Sequence, residues 1–279
     1  MTPTSVGMRC PECAGQRTQV RRMQRSGRSA GWTPQPSLSD PRTWTVTHVL
    51  IAVNVLFFLW EVLGGLTLMN NSGGTNSFVY SHGVLLGAPL TGHNSYPPPY
   101  NGNHQYWRLI SSAFLHESIL HVGVNMLSLW FVGRPLESAV GKAYFTAIYF
   151  SSLLASSFVE LVFQTQVVTL GASGAIFGVF GALIMVARAR GIPLWQSGLI
   201  PVLLFNVVFT LTVPGVAIGG HLGGLLGGVI AGGALTEFGE RRGRKALVFG
   251  VCAAIAAVSV AGALAVAGSP GITPNGWQL

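Results

Sequence analysis

The chain has 279 residues, of which 49% are hydrophobic, 9% are charged and 37 are glycine, and its net charge is +8. Soluble domains carry about 25% charged residues, and glycine is commoner in membrane helices than in soluble ones. The composition therefore excludes an ordinary soluble protein and predicts an all-α polytopic membrane protein. The positive charge does not indicate nucleic-acid binding, because membrane topology and attraction to anionic lipid account for it.

Residues 1–43 form a polar tail rich in Arg, Ser, Gly and Pro. This composition is typical of disorder, and a tail of this length before the first apolar run argues against a cleavable signal peptide. Cys10 and Cys13 form a CPEC pair in the tail. A structural zinc site needs four ligands, and a second pair is absent, so we predict no metal.

Seven apolar segments follow the tail, and each approaches the roughly 20 residues that a bilayer requires. The predicted spans are 46–69, 109–133, 143–163, 170–187, 192–213, 214–236 and 246–268. A turn at Pro214-Gly215 separates the fifth from the sixth. The loop 70–106 is rich in Asn, Ser, Gly, Tyr and Pro, and composition explains it equally well as a functional element or as a passive connector.

The basic residues predict the orientation in the membrane. All of the sixteen Lys and Arg except Arg108 lie in the tail or in the loops after spans two, four and six. These segments share one side, and the positive-inside rule makes that side the cytoplasm. We therefore expect a multi-pass protein of the cell membrane with a cytoplasmic N-terminus and an extracytoplasmic C-terminus.

Span two contains several polar residues in the stretch HESILHVGVN. Polar groups inside a bilayer are costly and by default indicate a functional site. The stretch is similar to the HExxH zinc motif, but His116 and His121 are five residues apart, or about 140° around a regular helix. Such a pair cannot hold one metal ion. His121 and Asn125 are four residues apart and share a face, so they can act as paired hydrogen-bond donors.

Two other polar residues stand near the outer ends of their spans. Ser173 lies in LGASGAIFG, 15 residues or about 22 Å of helix before Arg188. His221 lies in IGGHLGGLLGG, 16 residues or about 24 Å before Glu237. The two side chains are therefore predicted at the same depth, below the outer surface. Since histidine is the usual base that activates a serine hydroxyl, this match favours a nucleophilic serine.

Glycines predict how the two helices meet. Gly224 and Gly228 follow His221 within about 60° on one helix face, and small residues at four-residue spacing let membrane helices approach closely. Each motif alone is explained at least as well as an ordinary packing seam. Together with the agreement in depth and the donor pair on span two, they favour a Ser173–His221 dyad.

The imidazole of His221 needs a group that holds its orientation. Neither of the two spans carries an Asp or Glu near the dyad, so packing rather than a carboxylate is predicted to orient the ring. Phe177, one turn after Ser173, can stack on the imidazole. A lipid-facing or core-facing position for Phe177 is equally compatible with the spacing.

Taken in order, residues 107–232 resemble the rhomboid family of intramembrane serine proteases. The elements that carry the resemblance are Trp107-Arg108, the stretch with His116, His121 and Asn125, Glu137 and Gly141 in LESAVG, Gly171–Gly174, and His221 with Gly224 and Gly228. The resemblance implies that Ser173 is the nucleophile and His221 the general base. It implies an oxyanion hole made by His121, Asn125 and the Ser173 backbone N–H, a structural role for His116, and no cofactor.

The resemblance also implies a domain organisation. The six-helix catalytic core is expected at 44–240, and 241–279 are expected to add a basic loop, a seventh helix and a short outer tail, as in many members. The loop 70–106 would lie partly in the outer leaflet, and the CPEC tail resembles half of a cysteine-rich knuckle found in some bacterial relatives.

Two functions follow from this resemblance. The first is an endopeptidase whose partners are the lipid bilayer and single-span membrane substrates, which it cuts near the outer end of the span. The alternative is a catalytically inactive relative that binds transmembrane helices. The presence of both Ser173 and His221 favours the protease, because a protein that only binds helices has no physical need for the pair.

Overall fold

A computed structural model describes residues 2–4, 7–9, 45–64, 78–92, 104–195, 198–212 and 216–269. The chain divides into two compact units, Met1–Thr43 and Trp44–Leu279. In the first unit, the described residues form two antiparallel strands, β1 (Thr2–Thr4) and β2 (Gly7–Arg9). The CPEC pair and the rest of the tail lie outside the described residues, so the disorder predicted there stays a prediction.

The described part of the second unit is helical. Its helices are α1 (Val46–Leu63), α2 (Phe78–Gly83), α3 (Gly87–Thr91), α4 (Arg108–Ser111), α5 (Ile119–Val140), α6 (Lys142–Phe163), α7 (Ser173–Ala189), α8 (Leu199–Thr212), α9 (Ile218–Ala234) and α10 (Lys245–Val266). A 3₁₀ turn at Ser112–Phe114 follows α4, and a π-helical turn at Leu235–Glu240 extends α9. The prediction of an all-α polytopic membrane protein is confirmed.

A helix occurs at each of the seven predicted spans. Among the described residues, five helices are long and apolar enough to cross a membrane, namely α1, α5, α6, α10 and α9 with its π-helical turn. The helices α7 and α8 are apolar but have 17 and 14 residues, so a count of seven spans stays a prediction. Gly198 has a left-handed φ of 73°, which prevents α8 from extending back to 192. The predicted turn at Pro214-Gly215 lies outside the described residues.

The second span differs from its prediction at both ends. Helix α5 begins at Ile119 rather than near 109, because Leu115 and Ser118 are extended and the Ser118 side chain caps the helix by accepting the His121 N–H. His116 therefore precedes the helix, and the premise that His116 and His121 share one regular helix is wrong. At the other end, α5 continues past 133 to Val140 with Pro135 inside it.

Helices α6, α7 and α9 pack against one another at a seam of glycines. A Cβ atom on Gly224 would overlap the carbonyl oxygen of Gly174, and one on Gly228 would overlap that of Gly178. On the α6 side, Cβ atoms on Gly174 and Gly178 would overlap serine side chains. The backbones of α7 and α9 are therefore in contact at the places where small residues were predicted, and this contact sets the separation of Ser173 from His221.

Polar groups, some buried and some exposed, tie the helices at the end of the bundle opposite Ser173, which we call the basic end. The Glu137 carboxylate accepts hydrogen bonds from the backbone N–H groups of Val46 and Thr47 at 2.7 and 2.9 Å and from the Thr47 hydroxyl at 2.7 Å. These N–H groups have no partner within α1, so Glu137 caps that helix from α5. Arg190 donates to the Ala139 carbonyl at 2.8 Å and to Glu240 at 2.6 Å.

At the other end, which we call the site end, the described part of the loop 70–106 is a structured element. The fully buried Arg108 guanidinium donates to the carbonyls of Val84 at 2.8 Å and Ser81 at 2.9 Å. The backbones of Leu85 and Thr169 exchange two hydrogen bonds of 2.9 and 3.0 Å. Residues 78–92 are thereby joined to the segment that leads into Ser173, which a passive connector does not require.

Candidate active site

Ser173 and His221 meet at the site end. Ser173 is the first residue of α7, and His221 lies in the first turn of α9. The Ser173 Oγ atom is 2.6 Å from the His221 Nε2 atom. Only 5% of the His221 surface is exposed, whereas Ser173 is half-buried, so the imidazole is shielded and the hydroxyl stays accessible. The structure thus brings together the two residues that the depth comparison placed at one level.

The backbone before Ser173 is shaped by Gly171. This residue has a φ of 120°, and a Cβ atom on it would lie 2.8 Å from the His121 Nε2 atom. Only glycine is compatible with both conditions. Helix α7 begins directly afterwards, and its N-cap residue Ala172 has no side-chain cap. The unpaired N–H groups and the positive end of the helix dipole therefore lie at the Ser173 hydroxyl.

His121 and Asn125 face this backbone from α5. The Asn125 Nδ2 atom lies 3.7 Å from the Cβ position of Gly171. Asn125 is 2% exposed, and its Nδ2 has no hydrogen-bond partner within the described part of the chain. Buried donors are normally paired, so a donor that is buried beside Ser173 without a partner is suited to bind an oxygen atom that arrives with a ligand.

His116 lies behind His121 and is fully buried. The two imidazole rings meet edge to face with centroids 5.1 Å apart. The His116 backbone N–H donates to Glu61 Oε2 at 3.1 Å, which links α1 to the segment that precedes α5. Sequence reasoning missed Glu61, although a single carboxylate near the end of an apolar span was a signal of a buried partner. Among the described residues, no three His, Cys, Asp or Glu side chains converge as a metal site requires.

Two side chains hold the imidazole of His221. The Phe177 ring stacks on it with centroids 4.3 Å and planes 13° apart, which resolves the alternatives that the spacing left open for Phe177. The Thr210 hydroxyl on α8 lies 2.8 Å from the His221 Nδ1 atom. The prediction that packing orients the ring is therefore incomplete. Thr210 was missed because a threonine in an apolar run matches no motif. Its only signal was the polar Asn206 one turn earlier.

A carboxylate from a third helix supports the backbone around the dyad. Glu160 on α6 is 1% exposed, and its Oε2 atom accepts the Gly220 N–H at 2.6 Å. Its Oε1 atom accepts hydrogen bonds from the Gln164 amide at 2.5 Å and the Thr169 hydroxyl at 3.3 Å. Glu160 thus connects the residue before His221 with the segment before Ser173. Sequence reasoning missed Glu160 because it lies on a helix that carries neither Ser173 nor His221.

A cavity of about 360 Å³ opens beside the dyad. Its walls come from α5 on one side and α8 on the other, with Val124 and Phe209 among the apolar residues. The polar atoms of Ser173, His221 and Asn125 lie at the same cavity. An apolar space with a few convergent polar groups is typical of a site that binds a substrate.

Comparison with known proteins identifies the family to which this architecture belongs. Residues 103–238 match the model of the Rhomboid domain. The Rhomboid protease GluP of Bacillus subtilis is 33% identical over 195 residues, which cover 68% of this chain and 35% of that protein. The chain belongs to the rhomboid family. The resemblance inferred from its motifs is confirmed.

Other rhomboids show that membership does not by itself decide activity. The Inactive RHOMBOID-like protein 8 of Arabidopsis thaliana is 27% identical over 177 residues, covering 57% of this chain and 50% of that protein. The Rhomboid-like protease 3 of Toxoplasma gondii is 32% identical over 100 residues, covering 36% of this chain and 35% of that protein. The matched region spans a third to a half of the length of these relatives. The activity of this rhomboid therefore has to be argued from its own residues.

Proposed function

We propose that this rhomboid is an intramembrane serine endopeptidase that cleaves membrane-anchored proteins within or near the outer end of a transmembrane segment. The observation that carries the proposal is the 2.6 Å hydrogen bond between Ser173 Oγ and His221 Nε2. The unpaired amide of Asn125 beside it supplies a donor for a reacting carbonyl.

In the first half of the reaction, Ser173 attacks the carbonyl carbon of the scissile peptide bond. The Oγ–C bond forms as the hydroxyl proton passes to His221 Nε2. The carbonyl oxygen becomes an oxyanion, which the Ser173 backbone N–H, His121 and Asn125 stabilise. Donors fixed in place before the charge develops are often the largest catalytic contribution. The C–N bond then breaks as the imidazolium returns the proton to the leaving amine, and an acyl-enzyme remains.

In the second half, water attacks the acyl carbon and His221 Nε2 takes its proton. The same donors stabilise the second oxyanion. The bond between the acyl carbon and Ser173 Oγ then breaks, the imidazolium reprotonates the serine, and a carboxylic acid leaves. The Asn125 amide has no hydrogen-bond partner among the described residues. It suits both steps, because it gains a partner when the oxyanion forms.

The distribution of charge supports an orientation and a class of substrate. Arg134, Lys142, Arg190 and Arg241 lie at the basic end, and basic loops mark the cytoplasmic side. The site end then faces outside the cell, with a cytoplasmic N-terminus and an extracytoplasmic C-terminus in the cell membrane. Substrates are single-span proteins that present the outer end of their span to the cavity between α5 and α8.

The alternative, an inactive helix-binding rhomboid, has a precedent in the Arabidopsis relative named as inactive. A protein that only binds helices gains nothing from a half-buried serine that is hydrogen-bonded to a histidine. The geometry of the dyad therefore favours the protease.

The test uses the full chain purified in detergent and a fluorophosphonate probe, which reacts with activated serines. Wild-type protein should be labelled, and Ser173→Ala protein should not. Ser259→Ala is the control, because Ser259 is a helical serine on α10 and, unlike half-buried Ser173, is only 4% exposed. Absence of labelling in folded wild-type protein would favour the inactive alternative.

A further inference from the structure

We propose that Thr210 is a positioning residue that holds the proton of neutral His221 on Nδ1, so that Nε2 is free to accept the proton of Ser173. The inference rests on the proposed function and adds to it a third residue, from a helix that carries neither member of the dyad.

The Thr210 hydroxyl has a single proton and two neighbours that could accept it. The Oγ1 atom lies 2.7 Å from the Asn206 carbonyl oxygen and 2.8 Å from His221 Nδ1. A carbonyl oxygen can only accept a hydrogen bond, so the hydroxyl proton must lie on the line to Asn206. If it pointed to Nδ1 instead, two oxygen acceptors would face each other at 2.7 Å without a proton. Thr210 therefore offers His221 an acceptor, and Nδ1 must carry the proton.

The contact of the second ring nitrogen, Nε2, is consistent with a proton on Nδ1. A neutral imidazole has one donor and one acceptor nitrogen, so a protonated Nδ1 leaves a lone pair on Nε2. Ser173 Oγ is 2.6 Å from Nε2 and donates its own proton there. The opposite tautomer would direct an N–H at the serine oxygen and leave the serine proton without this acceptor. Only the tautomer that Thr210 selects is able to act as the base.

The contact also strengthens as the reaction proceeds. When His221 takes the serine proton, the ring becomes positively charged, and its Nδ1–H bond to Thr210 becomes charge-assisted. Such bonds are roughly twice as strong as neutral ones. Thr210 thus stabilises the transition state more than the ground state, which raises kcat rather than lowering KM.

Helix α8 is built so that this hydroxyl is one of its few buried groups. Its buried residues are Leu199, Asn206 and Thr210. The Asn206 side chain accepts the Ser128 hydroxyl at 3.1 Å and donates to the Val202 carbonyl at 2.8 Å. These side-chain bonds fix Asn206 to α5. Its backbone carbonyl oxygen accepts the Thr210 hydroxyl proton and so keeps that proton away from His221. The two buried polar residues of α8, one turn apart, act together on the tautomer.

The kinetic test compares Thr210→Val, which keeps the shape and removes the hydroxyl, with Thr210→Ser, which keeps the hydroxyl. Thr210→Val should lower kcat and the rate of fluorophosphonate labelling about 10- to 100-fold, as expected for a hydrogen bond to a charged group, with KM little changed. Thr210→Ser should restore both rates. Thr212→Val is the matched control, because exposed Thr212 makes the same kind of bond to the Val208 carbonyl at 2.7 Å. It should behave like wild type.

A second measurement does not depend on how the Thr210 variants fold. In full-length protein labelled with ¹⁵N-histidine, the ring nitrogens of His221 should show protonation at Nδ1, with His221→Ala protein identifying the signals. A proton on Nε2 in the wild type would overturn the proposal, and so would wild-type kcat in folded Thr210→Val protein. Failure of wild-type protein to react with the fluorophosphonate would instead contradict the proposed protease function, so the two failures are distinguishable.

Discussion

The imidazole of His221 lies flat on the ring of Phe177, with the ring centroids 4.3 Å apart and the planes 13° apart. Phe177 stands one turn after Ser173 on α7, so the helix that carries the serine also carries the support for its partner histidine. Stacking fixes the plane of the imidazole, and the Thr210 contact fixes its rotation within that plane.

This relationship predicts that Phe177→Leu lowers kcat roughly 2- to 10-fold, because a stacked aromatic pair contributes about 0.5–1.5 kcal/mol beyond its buried area. Phe177→Tyr should retain the rate. Steady-state kinetics on a single-span substrate measure the effect. Phe145→Leu is the control, since Phe145 is fully buried on α6 near the basic end. It should lower Tm but not kcat, and an equal loss of kcat in both leucine variants would refute the role of the stacking.

The hydrogen bond between Ser173 and His221 predicts a non-additive pair. Ser173→Ala and His221→Ala should each abolish peptide-bond cleavage while the protein stays folded, and the double variant should be little worse than either single variant. The loss follows because each residue acts only through the other. Cleavage at a near wild-type rate by Ser173→Ala protein with a normal Tm would remove Ser173 from the mechanism.

The unpaired amide of Asn125 predicts an effect on turnover with little loss of stability. Asn125→Ala should lower kcat roughly 10²–10³-fold, as removal of an oxyanion donor does. Tm should change little, since the Nδ2 atom has no partner to lose among the described residues. Asn54→Ala is the matched control, because Asn54 is a fully buried asparagine on α1 that donates to the Leu50 carbonyl at 2.7 Å. Asn54→Ala should lower Tm and leave kcat unchanged. If Asn125→Ala also lowered Tm and left kcat unchanged, Asn125 would be a packing residue.

The glycine seam predicts sensitivity to a single methyl group. Gly224→Ala should lower both activity and Tm, because the new Cβ would overlap the Gly174 carbonyl oxygen and separate α7 from α9. Gly233→Ala on the same helix is the control, since its Cβ would lie 3.5 Å from the Met185 methyl group, an ordinary contact. Both changes bring the same gain in helix propensity. The difference in activity and Tm between the two variants therefore measures the effect of the overlap at the glycine seam. Full activity and Tm in Gly224→Ala protein would show that the helices can separate without cost.

The position of the dyad predicts which substrates are cut. A peptide bond in a regular helix is a poor target, because an unpaired backbone group in lipid costs several kcal/mol. Substrates should therefore carry a small residue at the cleaved bond and Gly or Pro within the next turn or two. Replacing these Gly and Pro residues by Leu should slow cleavage mainly through kcat, measured on matched peptides in liposomes. Equal cleavage of an all-Leu span, or cleavage at its cytoplasmic end, would contradict the proposal.

The sequence by itself determined the class of the protein, the approximate position of each long helix and the meeting of Ser173 with His221. Composition and apolar length report directly on the bilayer as a solvent, and the period of a helix converts spacing into depth and face. For that reason Ser173, His221 and the seam at Gly224 and Gly228 could be inferred without coordinates.

Only the tertiary structure decided which side chains surround the dyad. Thr210 and Glu160 lie on helices that are remote in sequence, and their hydrogen bonds to His221 and Gly220 depend on how α8 and α6 pack. The start of α5 was decided in the same way, because the Ser118 cap and the extended Leu115 place His116 outside a helix that its apolar neighbours predicted. Periodicity describes one helix at a time, whereas a catalytic base is oriented by contacts among several, and those contacts exist only once the helices have packed.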